Sequence, residues 1–216
     1  MTDMDSSAPS LAERLRGELR SRIVDTRLRP GAVLLEKALA EEHAVSKTPV
    51  REALQMLAVE GWVQVIPRRG YTVSSMGFHD IREVMELRRA IEPTVAASAA
   101  ATVTRDLVDD LERLLDGQRS ATSHARAVSA AAAFHRRIAQ AARNHRAQTT
   151  LDRLFAESER AHALLPPLAA AIADTEVAAH QDVVDAIRSA DPRRAETVMR
   201  QHLVQAESAI VAAHYH

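Results

Sequence analysis

The chain has 216 residues, with 28 Lys and Arg against 29 Asp and Glu, and it contains no Cys. This length accommodates two modest domains, and the missing Cys exclude disulfides, thiolate metal sites and a Cys nucleophile. The polar, acidic N-terminus does not resemble a signal peptide, and no run of eighteen apolar residues predicts a membrane span. We therefore expect a soluble, cytoplasmic protein that does not contact a membrane, and the low Gly and aromatic content favours helices.

Residues 1–9 are predicted to be a disordered leader, and residues 10–75 to form a winged helix-turn-helix domain. Apolar residues recur every four positions from Leu11 to Ile23, which predicts a helix over residues 11–26. A second helix is predicted over residues 36–43, a third between Ser46 and Gly61, and two strands over residues 62–66 and 71–73. This order of elements is typical of a domain that grips duplex DNA.

The third predicted helix begins with cations and hydroxyls. Lys47 and Arg51 are four residues apart and so share one helical face. Arg can fork onto the O6 and N7 edge of guanine, and Lys can do so less rigidly. Ser46 and Thr48 can bond phosphate oxygens at the helix N-terminus. We expect this end of the helix to enter the major groove.

Further cations flank the predicted reading helix. Lys37 begins the preceding helix and could reach a phosphate or a base, and Arg68 and Arg69 on the wing suit a minor groove or its phosphates. Residues 10–75 carry eleven Lys and Arg against eight Asp and Glu, a weak basic excess. Each cation alone is equally well explained as a solvated surface charge, but their order and spacing together predict DNA binding.

A resemblance to a known family is carried by several short motifs. They are Leu28-Arg29-Pro30-Gly31-Ala32-Val33-Leu34, Leu39-Ala40, Val45-Ser46-Lys47-Thr48-Pro49-Val50-Arg51-Glu52-Ala53-Leu54, Glu60-Gly61-Trp62 and Arg69-Gly70. Together they resemble the GntR family of bacterial transcriptional regulators. The resemblance implies a DNA-binding regulator that forms a homodimer on operator DNA, with Gly70 as part of the DNA-binding wing. Because repression is the more common outcome in such proteins, a repressor is expected. The family usually has Arg where this chain has Lys47, which changes the expected base preference.

The rest of the chain predicts an all-α domain. Residues 76–79 are the predicted linker, and no strand pattern follows them, so residues 80–216 are expected to form a six-helix bundle. The protein is therefore predicted to be mainly α. The helices are expected near residues 79–101, 104–118, 122–143, 145–165, 168–189 and 192–213.

A second resemblance concerns this bundle. It is carried by Arg88-Arg89-Ala90-Ile91-Glu92, Phe134-His135, Asn144, His180 and Met199-x-x-His202-Leu203. This order is similar to the ligand-binding domain of the FadR-type subfamily, and six helices place the chain near its VanR-like branch. The resemblance implies a divalent metal held by an Asp and three His beside a small carboxylate effector. Arg88 and Asn144 then become the expected effector-binding residues, although Arg88 could instead form an internal salt bridge with Glu92.

Three His are candidate metal ligands. His135, His180 and His202 lie in the middle of three different predicted helices, and metal sites in bundles are built from side chains that converge in this way. Imidazole ligands suit zinc or nickel among the divalent metals. The other His, including His124 and His162, are expected at the surface.

The fourth ligand that the resemblance implies is missing. Its position is occupied by Ala131, and no carboxylate lies between Asp116 and Asp152. The sequence thus predicts a neutral three-His site, and an empty polar pocket is the alternative. A metal-free regulator with a hydrophobic or acyl effector also remains open. A three-His metal-dependent hydrolase is a further hypothesis, but it needs a general base, and none is expected at helical spacing from these His.

Overall fold

The computed structural model describes residues 8–214, without the side chains of residues 166–175 and 214. The chain divides into two compact units, Met1–Met76 and Gly77–His216. Most of the predicted leader, residues 1–7, lies outside the described residues. Within the described part of the chain, no helix combines the length and apolarity that a membrane span requires.

The first unit is a three-helix domain with a small sheet. Its elements are α1 (Leu11–Val24), β1 (Val33–Leu34), α2 (Glu36–Glu42), α3 (Lys47–Val59), β2 (Val63–Ile66) and β3 (Gly70–Val73). A capping box starts α1, because Ser10 Oγ accepts from the Glu13 N–H and the Glu13 carboxylate accepts from the Ser10 N–H. The core of the unit contains fully buried Leu54, Leu57 and Trp62.

One strand of this sheet was not predicted from the sequence. The sheet is antiparallel in the order β1-β3-β2, and β1 pairs Val33 with Thr72 and Leu34 with Tyr71. Two residues are too few to show an alternation of buried and exposed side chains, although Leu34 is buried and Val33 is exposed. The wing is therefore a three-stranded sheet.

Gly70 is required where β3 meets β1. Its φ is +104°, a conformation that favours glycine, and an added Cβ would lie 2.6 Å from the carbonyl oxygen of Leu34. A larger residue would therefore push β1 away from β3. The preceding turn also places Arg68 at a φ of 62°.

The described residues of the second unit form helices and the turns between them. It contains α4 (Phe78–Ala101), α5 (Arg105–Arg119), α6 (His124–Ala141), α7 (His145–Leu164), α8 (Pro166–Arg188) and α9 (Pro192–His214). Helix α4 packs against α9, α8 against α9, and α5 against α6. The predicted fold class, mainly α with an N-terminal winged helix-turn-helix and a six-helix bundle, is confirmed.

Two predicted boundaries differ from the structure. Helix α4 begins at Phe78, inside the predicted linker over residues 76–79, because the Asp80 carboxylate accepts from the Gly77 N–H and caps the helix there. Helix α5 ends at Arg119, one residue beyond the predicted end at residue 118. Gly117 lies within the helix at the usual entropic cost, and a Cβ added there would meet no atom within 4 Å.

Candidate DNA-binding surface and metal centre

The N-terminal turn of α3 presents its polar side chains to solvent. Ser46, Lys47 and Thr48 are all exposed. Ser46 occupies the N-cap position, but its side chain makes no capping hydrogen bond. Its hydroxyl is therefore not used by the helix and can bond a phosphate oxygen. Lys37 on α2 is also exposed, with Nζ 3.7 Å from the Glu41 carboxylate.

Arg51 is held in place by Glu36, a contact that the sequence did not reveal. Arg51 Nε lies 2.9 and 3.1 Å from the two Glu36 carboxylate oxygens, and Nη2 lies 2.7 Å from Oε2. This forked contact presents two guanidinium nitrogens to a pair of acceptors. The guanidinium remains half exposed, so it can exchange Glu36 for another bidentate acceptor.

The wing carries the other predicted cations. Arg68 and Arg69 are exposed in the turn between β2 and β3, and Gly70 closes that turn. All eight residues predicted to contact DNA lie in the first unit, and all but Gly70 are exposed. The unit thus has an exposed helix N-terminus and an exposed basic turn, the two features by which a winged helix contacts duplex DNA.

The three predicted metal ligands converge inside the second unit. His135 on α6, His180 on α8 and His202 on α9 are all buried. Their Nε2 atoms form a triangle with sides of 3.2, 3.2 and 3.3 Å. The ring of Phe134 stacks on His180, with centroids 4.5 Å apart. The structure therefore brings together three imidazoles from three different helices.

Two of these imidazoles have an acceptor beside Nδ1. His135 Nδ1 lies 2.6 Å from the Glu92 carboxylate, and His180 Nδ1 lies 2.8 Å from the Gln118 side-chain oxygen. Both partners are acceptors, so the proton of each ring is assigned to Nδ1. The Nε2 lone pairs of these two rings then meet at 3.2 Å. Such lone pairs repel one another unless a cation lies between them.

The spacing of the three nitrogens fits a divalent metal. Metal–nitrogen bonds of about 2.1 Å require nitrogens about 3.0 to 3.4 Å apart, between right-angled and tetrahedral geometry. The observed distances of 3.2 to 3.3 Å lie in this range. Partners that bind the second ring nitrogen, as Glu92 and Gln118 do, are also typical of metal-bound His.

Charged side chains surround this triangle of imidazoles, which the sequence did not indicate. Glu92 is buried between Arg88 and His135, with Arg88 Nε 2.6 Å from its carboxylate. Burial alone would raise the pKa of Glu92, but Arg88 and His135 outweigh that effect and lower the pKa to about 2. On α8, burial raises the pKa of Glu176. The carboxylates come from α4 and α8, so the absence of acids near His135 in sequence was misleading.

Burial also lowers the pKa values of two candidate ligands. Desolvation is the largest cause for His202, whose pKa falls to about 3, and the neighbouring His135 and Arg88 lower it further. The pKa of His180 is lowered for the same first reason, with His202 and His135 adding to it. Neutral imidazole is the form that binds metal, so both rings are in the ligating form at neutral pH.

Two adjoining cavities lie beside the triangle. Both are lined by Arg88, Ser158, His162 and Glu176. The first also contacts His135 and Ala131, and the second contacts His202 together with the apolar residues Ile81, Met85, Ala161, Ala206 and Ile210. Arg88 thus forms the predicted internal salt bridge with Glu92 and also lines a cavity, so the two hypotheses for this residue are compatible.

The prediction that His124 and His162 lie at the surface was wrong. Their rings are 5.6 Å apart and only partly exposed, and His124 Nε2 and His162 Nδ1 are buried. Burial, followed by the nearby His124 and Arg88, lowers the pKa of His162 to about 4. No hydrogen-bond partner for His162 Nδ1 is present among the described residues. A ligand in the cavity could provide one.

Asn144 does not join this site. It is exposed at the N-cap of α7, and its side-chain oxygen accepts from the Ala147 N–H at 3.1 Å. It lines neither of the two cavities. The order of residues along the chain could not distinguish a capping Asn from one that binds an effector, because Asn suits both.

The expectation that no carboxylate lies at helical spacing from the His also needs correction. Glu176 precedes His180 by four residues on α8 and lines both cavities. Glu176 was missed in the sequence, although this spacing was a signal for it. Glu92 was named only as a salt-bridge partner of Arg88, and its contact with His135 was missed. Gln118 had no signal, because it reaches His180 across two helices.

An exposed winged helix-turn-helix, joined in one chain to a helical bundle with a buried cluster of three His, is the architecture of a DNA-binding transcriptional regulator. Residues 11–73 match the model described as bacterial regulatory proteins, gntR family, and residues 83–205 match the FCD domain. The chain therefore belongs to the GntR family, in the group whose second domain is the effector-binding FCD domain. It is a regulator and not an enzyme, which removes the hydrolase hypothesis.

Similar proteins extend over nearly the whole chain. The HTH-type transcriptional repressor RspR of Escherichia coli K12 is 30% identical over 200 residues, which are 89% of this chain and 85% of RspR. An HTH-type regulator, YdfH of Escherichia coli O6:H1, is 29% identical over 210 residues, 94% of this chain and 90% of YdfH.

Two solved structures share the fold. Escherichia coli McbR/YncC superposes with a TM-score of 0.81 at 21% identity, covering 97% of this chain and 100% of McbR. A GntR regulator from Rhodococcus sp. RHA1 superposes with a TM-score of 0.79 at 25% identity, covering 94% of this chain and 99% of the Rhodococcus chain.

Proposed function

We propose that the protein is a cytoplasmic, homodimeric repressor whose FCD domain binds a divalent metal and a small carboxylate effector. The observation that carries this proposal is the triangle of buried Nε2 atoms from His135, His180 and His202. Repression follows the similar protein RspR, which is named a repressor. The homodimer follows from the geometry of operators, whose two half-sites pair with two reading helices.

The three His would hold the metal, with zinc or nickel the best match to imidazole ligands. A bound metal supplies a positive charge and an open position for an effector oxygen. Glu92 and Gln118 keep the Nδ1 protons of His135 and His180 in place, so both Nε2 lone pairs stay directed at the metal position.

Arg88 is the residue that would bind the effector carboxylate. Its Nε is fixed by Glu92, its Nη1 lies 3.2 Å from Ser158 Oγ, and its guanidinium lies 5.2 Å from the centre of the Phe155 ring. These contacts orient the group while leaving further N–H donors for a ligand. Ser158 and His162 line the same cavities and offer hydrogen bonds to other polar groups of the effector.

A metal-free regulator with a hydrophobic or acyl effector is the second candidate. The observation that favours it is the apolar side of the cavity beside His202, which is formed by Ile81, Met85 and Ile210. An acyl chain would bury apolar surface there and would need no metal. The retained His triangle favours the first candidate, because three facing imidazole nitrogens are costly without a cation.

The experiment is a gel-shift assay on DNA that flanks the protein's own gene. We expect salt-sensitive binding by the wild type, and a change in affinity when carboxylates are added to zinc-loaded protein. The His135→Ala variant should still bind DNA, since His135 lies in the other unit, but should lose the zinc-dependent response. His145→Ala, at an exposed site on α7, is the matched control. A response that is unchanged in His135→Ala would overturn the proposed site.

A further inference from the structure

Helix α8 has an acid four residues before a His, namely Glu176 and His180, whereas α6 has Ala131 at the same distance before His135. The resemblance to FadR-type domains implies a carboxylate one helical turn before the first His ligand, where this chain has Ala131. On α8, Glu176 precedes His180 by four residues, so the two side chains share one helical face. The combination of an acid and a His one turn apart is therefore present on a different helix.

Glu176 lies beside the three imidazoles, although its carboxylate is not among the ligand atoms that lie within 4.8 Å of one another. It lines one cavity with His135 and Ala131, and the other with His202. Its Oε2 accepts from Gln118 Nε2 at 3.1 Å, and the oxygen of the same Gln118 amide lies 2.8 Å from His180 Nδ1. The small side chain of Ala131 leaves open the space that a carboxylate on α6 would occupy.

The charges of the cavity are unbalanced without a further cation. Glu92 is within ion-pair distance of Arg88, whereas no Lys or Arg lies within 4.0 Å of the Glu176 carboxylate among the described residues. Glu176 is half-buried, and withdrawing an ionised carboxylate from water without a cationic partner is unfavourable. A divalent metal among the three His would supply that partner. The two positive charges of the metal and the one of Arg88, set against the carboxylates of Glu92 and Glu176, would give the site a net charge of one positive unit. An effector with one carboxylate would neutralise that charge.

We propose that Glu176 supplies, from beside the three His, the negative charge that the residue absent at position 131 would otherwise bring to the metal site. Helix α8 then contributes a His ligand and a nearby anion to the same site. This inference rests on the proposed metal binding. It assigns the missing negative charge to one residue of this chain.

The test measures the zinc affinity of the full-length chain by competition with a chromophoric chelator. Glu176→Gln keeps the size of the side chain and an oxygen that can accept from Gln118, but it removes the charge. We expect zinc binding about 10- to 100-fold weaker, the usual loss when a group that supports a metal site is removed. Glu159→Gln is the matched control, because Glu159 lines a cavity with Glu176 but pairs with Arg136.

A second variant separates a role at the metal from a role in folding. Adding Ala131→Asp to Glu176→Gln returns a carboxylate to the cavity from α6, and we expect it to restore most of the lost affinity. Wild-type protein that binds zinc while Glu176→Gln binds it within twofold would overturn this inference alone. An equal loss in Glu159→Gln would also overturn it. Wild-type protein that binds no zinc would overturn the proposed metal function itself.

Discussion

At the residue scale, the guanidinium of Arg51 is already arranged for a bidentate partner. In the structure that partner is the Glu36 carboxylate, which offers two oxygens to Nε and Nη2. The O6 and N7 atoms of guanine offer a similar pair of acceptors in the major groove. Arg51 therefore has to leave Glu36 when it contacts a base. In the absence of DNA, Glu36 limits the positions that the Arg51 guanidinium occupies.

We predict that Arg51→Ala weakens operator binding by about 1 to 3 kcal/mol and relaxes base preference at one position. The loss arises because a base-reading fork is removed while the buried face of α3 is unchanged. Binding to operator variants by fluorescence anisotropy measures both effects. Arg27→Ala is the control, since Arg27 is an exposed Arg that pairs with Asp25 before β1. Unchanged affinity in Arg51→Ala would refute the assignment.

At the element scale, α6 and α7 bury a pair of His whose partners are incomplete. His124 at the start of α6 and His162 near the end of α7 are neighbours, and the pKa of His162 is lowered to about 4 by burial, His124 and Arg88. Because the ordinary pKa of His is near 6.5, the unfolded chain binds a proton at His162 before the folded chain does. Folding stability is therefore lost as the pH falls from 6.5 to 4.

We predict that His162→Gln reduces this acid sensitivity. The contribution of His162 to the difference in unfolding free energy between pH 7 and pH 4 is at most about 3 kcal/mol, from its pKa shift. Urea unfolding of the wild type and the variant at several pH values measures it. In His145→Gln, which changes an exposed His, the free energy of unfolding should depend on pH as it does in the wild type. An unfolding free energy that depends on pH equally in His162→Gln and in the wild type would contradict this account.

The sequence predicted the positions of the helices better than it predicted the side-chain contacts between them. The predicted start of the helix over residues 104–118 is close to the observed one, where the Thr104 side chain accepts from the Leu107 N–H. The three His were found because each lies within a long helical pattern. The contact of Glu92 with His135 was missed, as were Gln118 and Glu176, because contacts between helices depend on how the bundle packs, which periodicity does not specify. The strand β1 was missed because two residues carry no period.

At the scale of the whole molecule, the two units divide the chemistry of the protein. The first unit carries the exposed cations of the reading helix and wing, and the second buries a polar site between helices. An effector can regulate DNA binding only if it binds the DNA-competent and DNA-incompetent states with different affinities. The metal position and Arg88 are where such a ligand would make its charged contacts.

Metal analysis of the full-length protein, purified without chelator and without nickel resin, tests the central claim most directly. We predict about one divalent metal per chain in the wild type, with loss of that metal in His135→Ala and retention in His145→Ala. The reason is that removing one of three converging imidazoles leaves too few ligands for tight binding. Protein that binds no metal even after zinc is added, or stoichiometric metal that survives His135→Ala, would contradict the proposed site.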